Sequence, residues 1–215
     1  MTWSLLAAAA RGDDLRSDAA HAAFEKLLAA PGAIVSVGGG PARVHPRLRN
    51  LNILCERGVD IAATAYNLPF ADASLGGIHC EAVLEHLEFP DLAVSEMFRV
   101  TRERGLVFAA TPFLQPYHGY PDHFQNFTLR GHRRLFERAG FTVVGAGTCV
   151  GPTFAIVDMA ANYAREYTPG RVLSRLIERA IRLGGRVLRI PDVALRHHAA
   201  SDKLASSTFV LAIKS

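Results

Sequence analysis

The densest chemistry in the chain lies in one stretch, Thr111-Pro112-Phe113-Leu114-Gln115-Pro116-Tyr117-His118-Gly119-Tyr120-Pro121-Asp122-His123-Phe124. Imidazole titrates near neutrality, so His118 or His123 suits a general base that takes a proton from a hydroxyl or amine nucleophile. Asp122 is placed to orient either ring. Phe113, Tyr117, Tyr120 and Phe124 offer flat apolar surface to a small-molecule substrate. The same residues also describe a proline-rich loop fixed by its own hydrogen bonds, and both readings stand at this point. His118, Asp122 and His123 are of metal-ligand type, but their spacing matches no strong metal motif, so no metal is expected. Cys149, in the turn Gly-Thr-Cys-Val-Gly-Pro (147–152), reads as a small buried hydrophobe rather than a nucleophile.

A stretch so rich in Pro, Gly and aromatic residues forms no regular element, so its neighbours must hold it. GLVFAAT (105–111) reads as the strand before it, and Thr128 caps the helix LRGHRRLFERAG after it. Upstream, Ser17 and Asp18 open a helix through AAHAAFEKLLAA that stops at Pro31-Gly32. AIVSV (33–37) is a buried strand leaving into Gly38-Gly39-Gly40, and NLNIL (50–54) is a second strand. Two prolines in the short link between them leave no room for a full crossover helix. VDIAATA (59–65) and LGGIHCE (75–81) read as further strands, AVLEHL (82–87) as the start of a helix, and DLAVSEMFRVT (91–101) as an amphipathic helix. FTVVGAGTCVG (141–151) and STFVLAIK (207–214) are strands on either side of a helical stretch from about 153 to 190, broken near Pro169-Gly170. This alternation predicts an α/β fold with a mostly parallel central sheet and helices on both faces. Ligands of such sheets sit outside the carboxyl ends of the strands. Gly38–Gly40, Leu54–Cys55, Ala63–Asn67, Cys80–Glu81 and Thr111–Phe113 should therefore rim one crevice.

The order of glycine loop, Asn67-Leu68-Pro69-Phe70, Val83-Leu84-Glu85-His86, Arg99 to Gly105 and Thr111-Pro112-Phe113 resembles the class I S-adenosylmethionine-dependent methyltransferases, small-molecule type. The resemblance covers roughly residues 32–151 together with the closing strand. It implies a Rossmann-like methyltransferase fold, S-adenosylmethionine as cofactor, and cofactor contacts from Gly38, Gly39, Gly40, Asn52, Thr64, Ala65, Asn67, Leu68, Cys80, Glu81 and His86. It places His118, Asp122 and His123 where substrate meets the methyl donor. Four positions that carry an acid in the family are neutral here: Ser36, the Asn52-Ile53-Leu54 neighbourhood, where Glu56 is the nearest acid, Thr64 and Gly76. A lost charge-assisted hydrogen bond weakens a ligand by about 1.5–3 kcal/mol unless backbone groups or Asn52 and Asn67 compensate. The family's proline and one glycine after Arg99 are replaced by Glu103 and Arg104.

Composition narrows the function classes. With 49% hydrophobic and 20% charged residues, the 215-residue chain is neither a disordered tail nor a rod. A single domain is expected, with a core over about 17–152 and 205–215 and a helical lid or insertion over about 153–200. A net charge of +4 and a pI near 9.2 are too weak to imply nucleic acid. Three cysteines without metal spacing suggest reduced thiols and a cytoplasmic location. The opening MTWSLLAAAARGDD lacks a positive n-region and reads as a frayed helix rather than a signal peptide. Over 170–190, Leu173, Leu176, Ile177, Ala180 and Ile181 share a helix face while Arg171, Arg175, Arg179, Arg182 and Arg186 cover much of the rest. Packing of that apolar stripe on the core is the simplest expectation. A lid, a dimer contact or a peripheral membrane contact are the functional ones. The expected activity is methyl transfer to an oxygen or nitrogen of a small molecule. The alternatives are a cyclase, isomerase or hydrolytic enzyme using the His118/Asp122/His123 loop, and a non-catalytic partner-binding or membrane-peripheral subunit.

Overall fold

A computed structural model describes residues 16–119, 122–188, 195, 198 and 200–215; the expected helix at the extreme N-terminus, and Tyr120, lie outside the described residues. Helix α1 (Asp18–Leu28) begins where the Ser17 hydroxyl accepts the Ala20 N–H at 3.2 Å. The same hydroxyl donates to the Thr148 carbonyl at 2.6 Å, which pins the helix start to the far side of the sheet. Ala20, Ala23, Phe24, Leu27 and Leu28 recur at helical spacing, so one face of α1 is apolar and buried.

Strands β1 (Ile34–Val37), β2 (Leu48–Asn52), β3 (Ile61–Ala62), β4 (Leu75–Glu81), β5 (Thr101–Pro112), β6 (Thr142–Val150) and β7 (Ser207–Ile213) form one sheet in the order β3-β2-β1-β4-β5-β7-β6. The first five pair in parallel, and β7 runs antiparallel between β5 and β6. The sheet is thus the Rossmann-like, mostly parallel one expected. Helices α2 (Pro90–Val100), α3 (Leu129–Arg138), α4 (Pro152–Tyr167) and α5 (Arg171–Leu188) complete the described helices. Two apolar clusters sandwich the sheet. Leu84, Met97 and Phe136 belong to the one under α2 and α3, and Phe24, Leu27, Phe108 and Phe209 to the one under α1.

Several elements depart from expectation for local reasons. The link from β1 to β2 carries no helix, as its prolines require, and β3 shrinks to two residues. The helix expected from Ala82 is replaced by a single 3-10 turn, Leu84–His86. Ala82 itself has φ +55, a left-handed conformation that an L-residue adopts only at a cost, and it ends both strand and helix there. Strand β5 starts at Thr101, earlier than expected, and bends through Arg104 at φ +61. That is the position where the family pattern has glycine. The apolar stripe of α5 splits. Ile177 and Ile181 are half-buried, whereas Leu173 and Leu176 are exposed together with Leu183. The stripe therefore does not pack on the core as a unit. No described helix is long and apolar enough to cross a membrane.

Candidate active site

The carboxyl ends of the parallel strands carry two neighbouring regions. The first is built around the glycine loop. The Gly38 and Gly39 N–H groups both donate to the Leu51 carbonyl, at 2.8 and 3.2 Å, and close the loop over the end of β2. Gly38 has φ +74, and a Cβ there would lie 2.2 Å from Val83. A Cβ on Gly39 would lie 2.6 Å from Asn50 Oδ1, whereas one on Gly40 would meet nothing within 4 Å. The loop is therefore held flat by its first two glycines and open above the third. Asn52 braces it, donating to the Gly39 carbonyl at 3.2 Å while its Oδ1 accepts the Leu54 N–H at 3.1 Å. Beyond it Ile53 is 71% exposed, an apolar side chain with little cover. Thr64 turns the next segment, its hydroxyl accepting the Tyr66 N–H at 3.3 Å.

Of the residues expected to hold a cofactor, Gly38–Gly40, Asn52, Thr64 and exposed Asn67 lie along this rim, with Ala65 buried behind it. Leu68 and Cys80 do not present side chains there. Leu68 is in the core with its N–H bonded to Glu96 Oε2, and Cys80 is fully buried, its thiol pKa pushed up by burial and by Glu85. Only their backbone is available to a ligand.

The second region is a cleft of about 270 Å³ between the ends of β4, β5 and β7 and the inner face of α4. Its lining includes Glu81, Glu85, Thr111, Gln115, His118 and Asp158. Phe154, Asp158, Asn162 and Arg165 come from α4, four positions on one helical face. The helical insertion thus walls the cleft. Glu81 accepts from Arg16 at 2.5 Å and from His79 Nε2 at 3.2 Å. His79 Nδ1 in turn accepts the buried Ser36 hydroxyl at 2.9 Å, and the Arg16 guanidinium lies 4.5 Å over the Phe24 ring. Burial works to raise the pKa of Glu81, but Arg16 and His79 outweigh it and hold the carboxyl at about 2. Ser36, where the family carries an acid, is therefore wired through His79 to an acid two strand positions past it.

Glu85 and the histidines form the other end of the cleft. Glu85 is 0% exposed, and neither of its carboxylate oxygens has a hydrogen-bond partner. Its Oε1 faces His86 Nε2 at 3.7 Å and His118 Nε2 at 3.8 Å. Both rings are turned that way by backbone carbonyls, which can only accept. His118 Nδ1–H donates to Pro116 at 2.9 Å, and His86 Nδ1–H to Asp122 at 2.5 Å. Burial disfavours charge on His118, yet Glu85 and the Pro116 carbonyl outweigh it and raise its pKa. His123 differs. Its Nδ1 accepts the His118 backbone N–H at 3.2 Å, and its Nε2–H donates to Asn126 Oδ1 at 2.7 Å. Both nitrogens are engaged, so in this arrangement His123 braces the loop and has no lone pair to offer a substrate.

The expected orienting role of Asp122 is not seen. Its carboxylate is exposed and bonds to neither ring, and only its carbonyl acts, on His86. The acid facing the histidines is Glu85, brought in by the turn after β4. Of the expected substrate aromatics, Tyr117 lines the cleft although 73% exposed. Phe113 and Phe124 do not line it. Their backbone N–H groups tie the loop down, on Ser206 and Glu85. His86 sits with the histidines rather than at the glycine rim. Sequence reasoning missed Glu85, although it lies within the Val83–His86 match. It also missed the polar face of α4, legible as Asp158, Asn162 and Arg165 at helical spacing, and Arg16, for which no signal existed.

Residues 37–109 match the family described as a methyltransferase domain. The solved structures with a similar fold include the [4+2]-cyclase SpnF, at 14% identity and TM-score 0.57, covering 91% of this chain and 79% of that one. A protein of Galdieria sulphuraria, assigned provisionally as a sarcosine dimethylglycine methyltransferase, gives 15% identity and TM-score 0.58 over 92% and 83% of the two chains. The 1,6-didemethyltoxoflavin-N1-methyltransferase of Burkholderia thailandensis gives 13% identity and TM-score 0.54 over 99% and 86%. No curated protein sequence matches the chain. At these identities the structural likeness establishes the fold, and the matched segment spans the glycine loop through β5.

Proposed function

We propose that this chain acts as a class I S-adenosylmethionine-dependent methyltransferase and moves a methyl group onto an oxygen or nitrogen of a small molecule. The observation that carries the reading is the meeting of ionised Glu81 and the Glu85–His118 pair in one cleft beside the glycine loop. S-adenosylmethionine would supply a methyl group on a positively charged sulfur. The residues present fit it. The open space above Gly40 admits its backbone-hugging part, the bare Ile53 side chain offers apolar surface to a flat base, and the Glu81 carboxylate suits an ammonium group.

The chain's own part is to position the acceptor and take its proton. With Nδ1–H held by Pro116, His118 carries its lone pair on Nε2, at the cleft wall. A hydroxyl or amine placed by Thr111, Gln115 and Asn162 would lose its proton to that nitrogen as it attacks. Glu85 then faces the resulting imidazolium and stabilises it in a site shielded from water. Positioning in line with the donor carries much of the remaining acceleration. Because the pKa of His118 is raised, activity should climb as pH passes above the ordinary histidine value of 6.5 and the ring loses its proton. His118→Ala should lower kcat by about 10²–10⁴-fold with S-adenosylmethionine affinity unchanged. Undiminished turnover would remove His118 from the mechanism.

A second reading has its own support. Asn52 stands where the family carries an acid toward the cofactor ribose, and both ends of its side chain are engaged within the loop. A methyltransferase-fold enzyme that performs a non-methylating reaction with the same cleft would tolerate that loss. The fold is shared with a [4+2]-cyclase. Methyl transfer from labelled donor to any acceptor pool decides between the two.

A further inference from the structure

We infer that Glu85, His86 and His118 form a binding site for a divalent transition-metal ion of the zinc type, a site the sequence spacing did not suggest. The Glu85 carboxylate and the two imidazoles each offer one ligand atom, and these three atoms all lie within 4.8 Å of one another. The two distances to Glu85 Oε1, 3.7 and 3.8 Å, are those of groups that can share one ion at ordinary metal–ligand lengths of about 2.0–2.2 Å. Two histidines and one carboxylate are a donor set that holds such ions while leaving a coordination position for water or substrate.

Three independent features point inward at the same spot. First, Glu85 is completely buried and both its oxygens lack hydrogen bonds, a costly state for an ionised group and one that a cation relieves. Second, each histidine donates its Nδ1–H to a backbone carbonyl, Asp122 for His86 and Pro116 for His118. That is the outer contact that fixes the tautomer of metal-binding histidines and leaves the Nε2 lone pair pointing at the ion. Third, the loop carrying His118 is tied down around the site. The Phe124 N–H donates to the Glu85 carbonyl at 2.8 Å, and the Gln125 amide to the Leu87 carbonyl at 2.9 Å. His123, 4.3 Å from His118 between ring centroids, is excluded as a ligand because Asn126 and the His118 N–H occupy its nitrogens.

Glu85 and His118 line the cleft and His86 does not, so the open position of the ion would face the cleft. An ion there uses the same His118 lone pair that the methyl-transfer reading assigns to proton uptake, so metal and proton compete for one atom. The site concerns the same cleft but does not depend on methyl transfer.

The test is a calorimetric titration of the full chain with zinc chloride without nucleotide or donor, in a Cys55→Ser background because that thiol is exposed. A parallel cobalt(II) titration reports ligand geometry by its visible spectrum. One saturable site is expected. It should weaken at least about tenfold in each of Glu85→Gln, His86→Asn and His118→Asn, and persist in His123→Gln and in the remote His21→Ala. Circular dichroism confirms that each variant is folded, and zinc-induced thermal stabilisation gives the same order for any variant too unstable to titrate. Absence of saturable binding overturns the proposal. So does binding insensitive to the three ligand changes, or lost equally with His123. A failure to bind S-adenosylmethionine would count against the proposed activity and leave this result untouched.

Discussion

Two carboxylates four residues apart, Glu81 at the end of β4 and Glu85 in the turn beyond it, are treated in opposite ways. Glu81 has a guanidinium at 2.5 Å and an imidazole at 3.2 Å, and its charge is fixed. Glu85 is more deeply buried, yet it has only two imidazoles standing off at 3.7 and 3.8 Å and no hydrogen bond. Between them Ala82 takes a left-handed conformation that turns the chain out of the strand. A satisfied buried carboxylate is settled within the fold, whereas one without hydrogen bonds calls for a partner. The first carboxylate is satisfied within the fold, and the second has only the two imidazoles standing off from it.

Removing each charge should give the largest contrast. Glu81→Gln removes the carboxylate to which both Arg16 and His79 donate, and urea unfolding should show a loss of about 3 kcal/mol. Glu85→Gln alters a side chain that has no hydrogen bond to lose, so its stability should stay within about 1 kcal/mol of the parent or exceed it. Equal losses in the two variants would break the comparison.

The pH dependence of stability sharpens it. The pKa of Glu81 is depressed from 4.5 to about 2, so its contribution is full above pH 4.5 and lost as pH falls from there toward 2. His132, buried between Thr111 and Thr208, is pushed by burial from 6.5 to about 3. A depressed histidine also stabilises the fold above its unfolded value, and that contribution is lost as pH falls from 6.5 toward 3. Unfolding curves should therefore decline in two overlapping stages. His132→Gln should flatten the upper stage and Glu81→Gln the lower. A lower stage that survives Glu81→Gln would contradict the assignment.

The smallest effects concern the backbone that separates the two acids. Ala82→Gly relieves the left-handed strain and should stabilise the protein by up to about 1–2 kcal/mol, less the added freedom of the unfolded chain. Arg104→Gly, which restores the glycine of the family pattern at φ +61, should gain a similar amount. If Ala82→Gly also lowers activity, the strained turn is aiming Glu85 as well as ending the strand.

The fold was readable because its signals are local. Short apolar runs, the glycine loop, and the caps Ser17 and Thr128 each predict an element, and the alternation of elements predicts the sheet. The helix expected from Ala82 failed because one residue's φ, invisible in a pattern of apolar and polar letters, ended it. In the candidate site, the histidine loop was legible by composition, and His118 indeed lines the cleft. Its acid was misassigned because Asp122 is near in sequence, whereas Glu85 reaches the rings through pairing of β4 with β5. Arg16, sixty-five positions from Glu81, depends wholly on tertiary packing and carried no signal in the sequence.

The glycine rim and the Glu81 cleft together should receive S-adenosylmethionine. Calorimetric titration of the parent chain and of Glu81→Gln with S-adenosylmethionine and S-adenosylhomocysteine tests it directly. The account predicts micromolar binding by the parent and affinity at least about tenfold weaker in Glu81→Gln, the size expected for a lost charge-assisted hydrogen bond. A parent chain that does not bind either ligand at millimolar concentration would contradict it, leaving a methyltransferase fold whose cleft serves a different reaction.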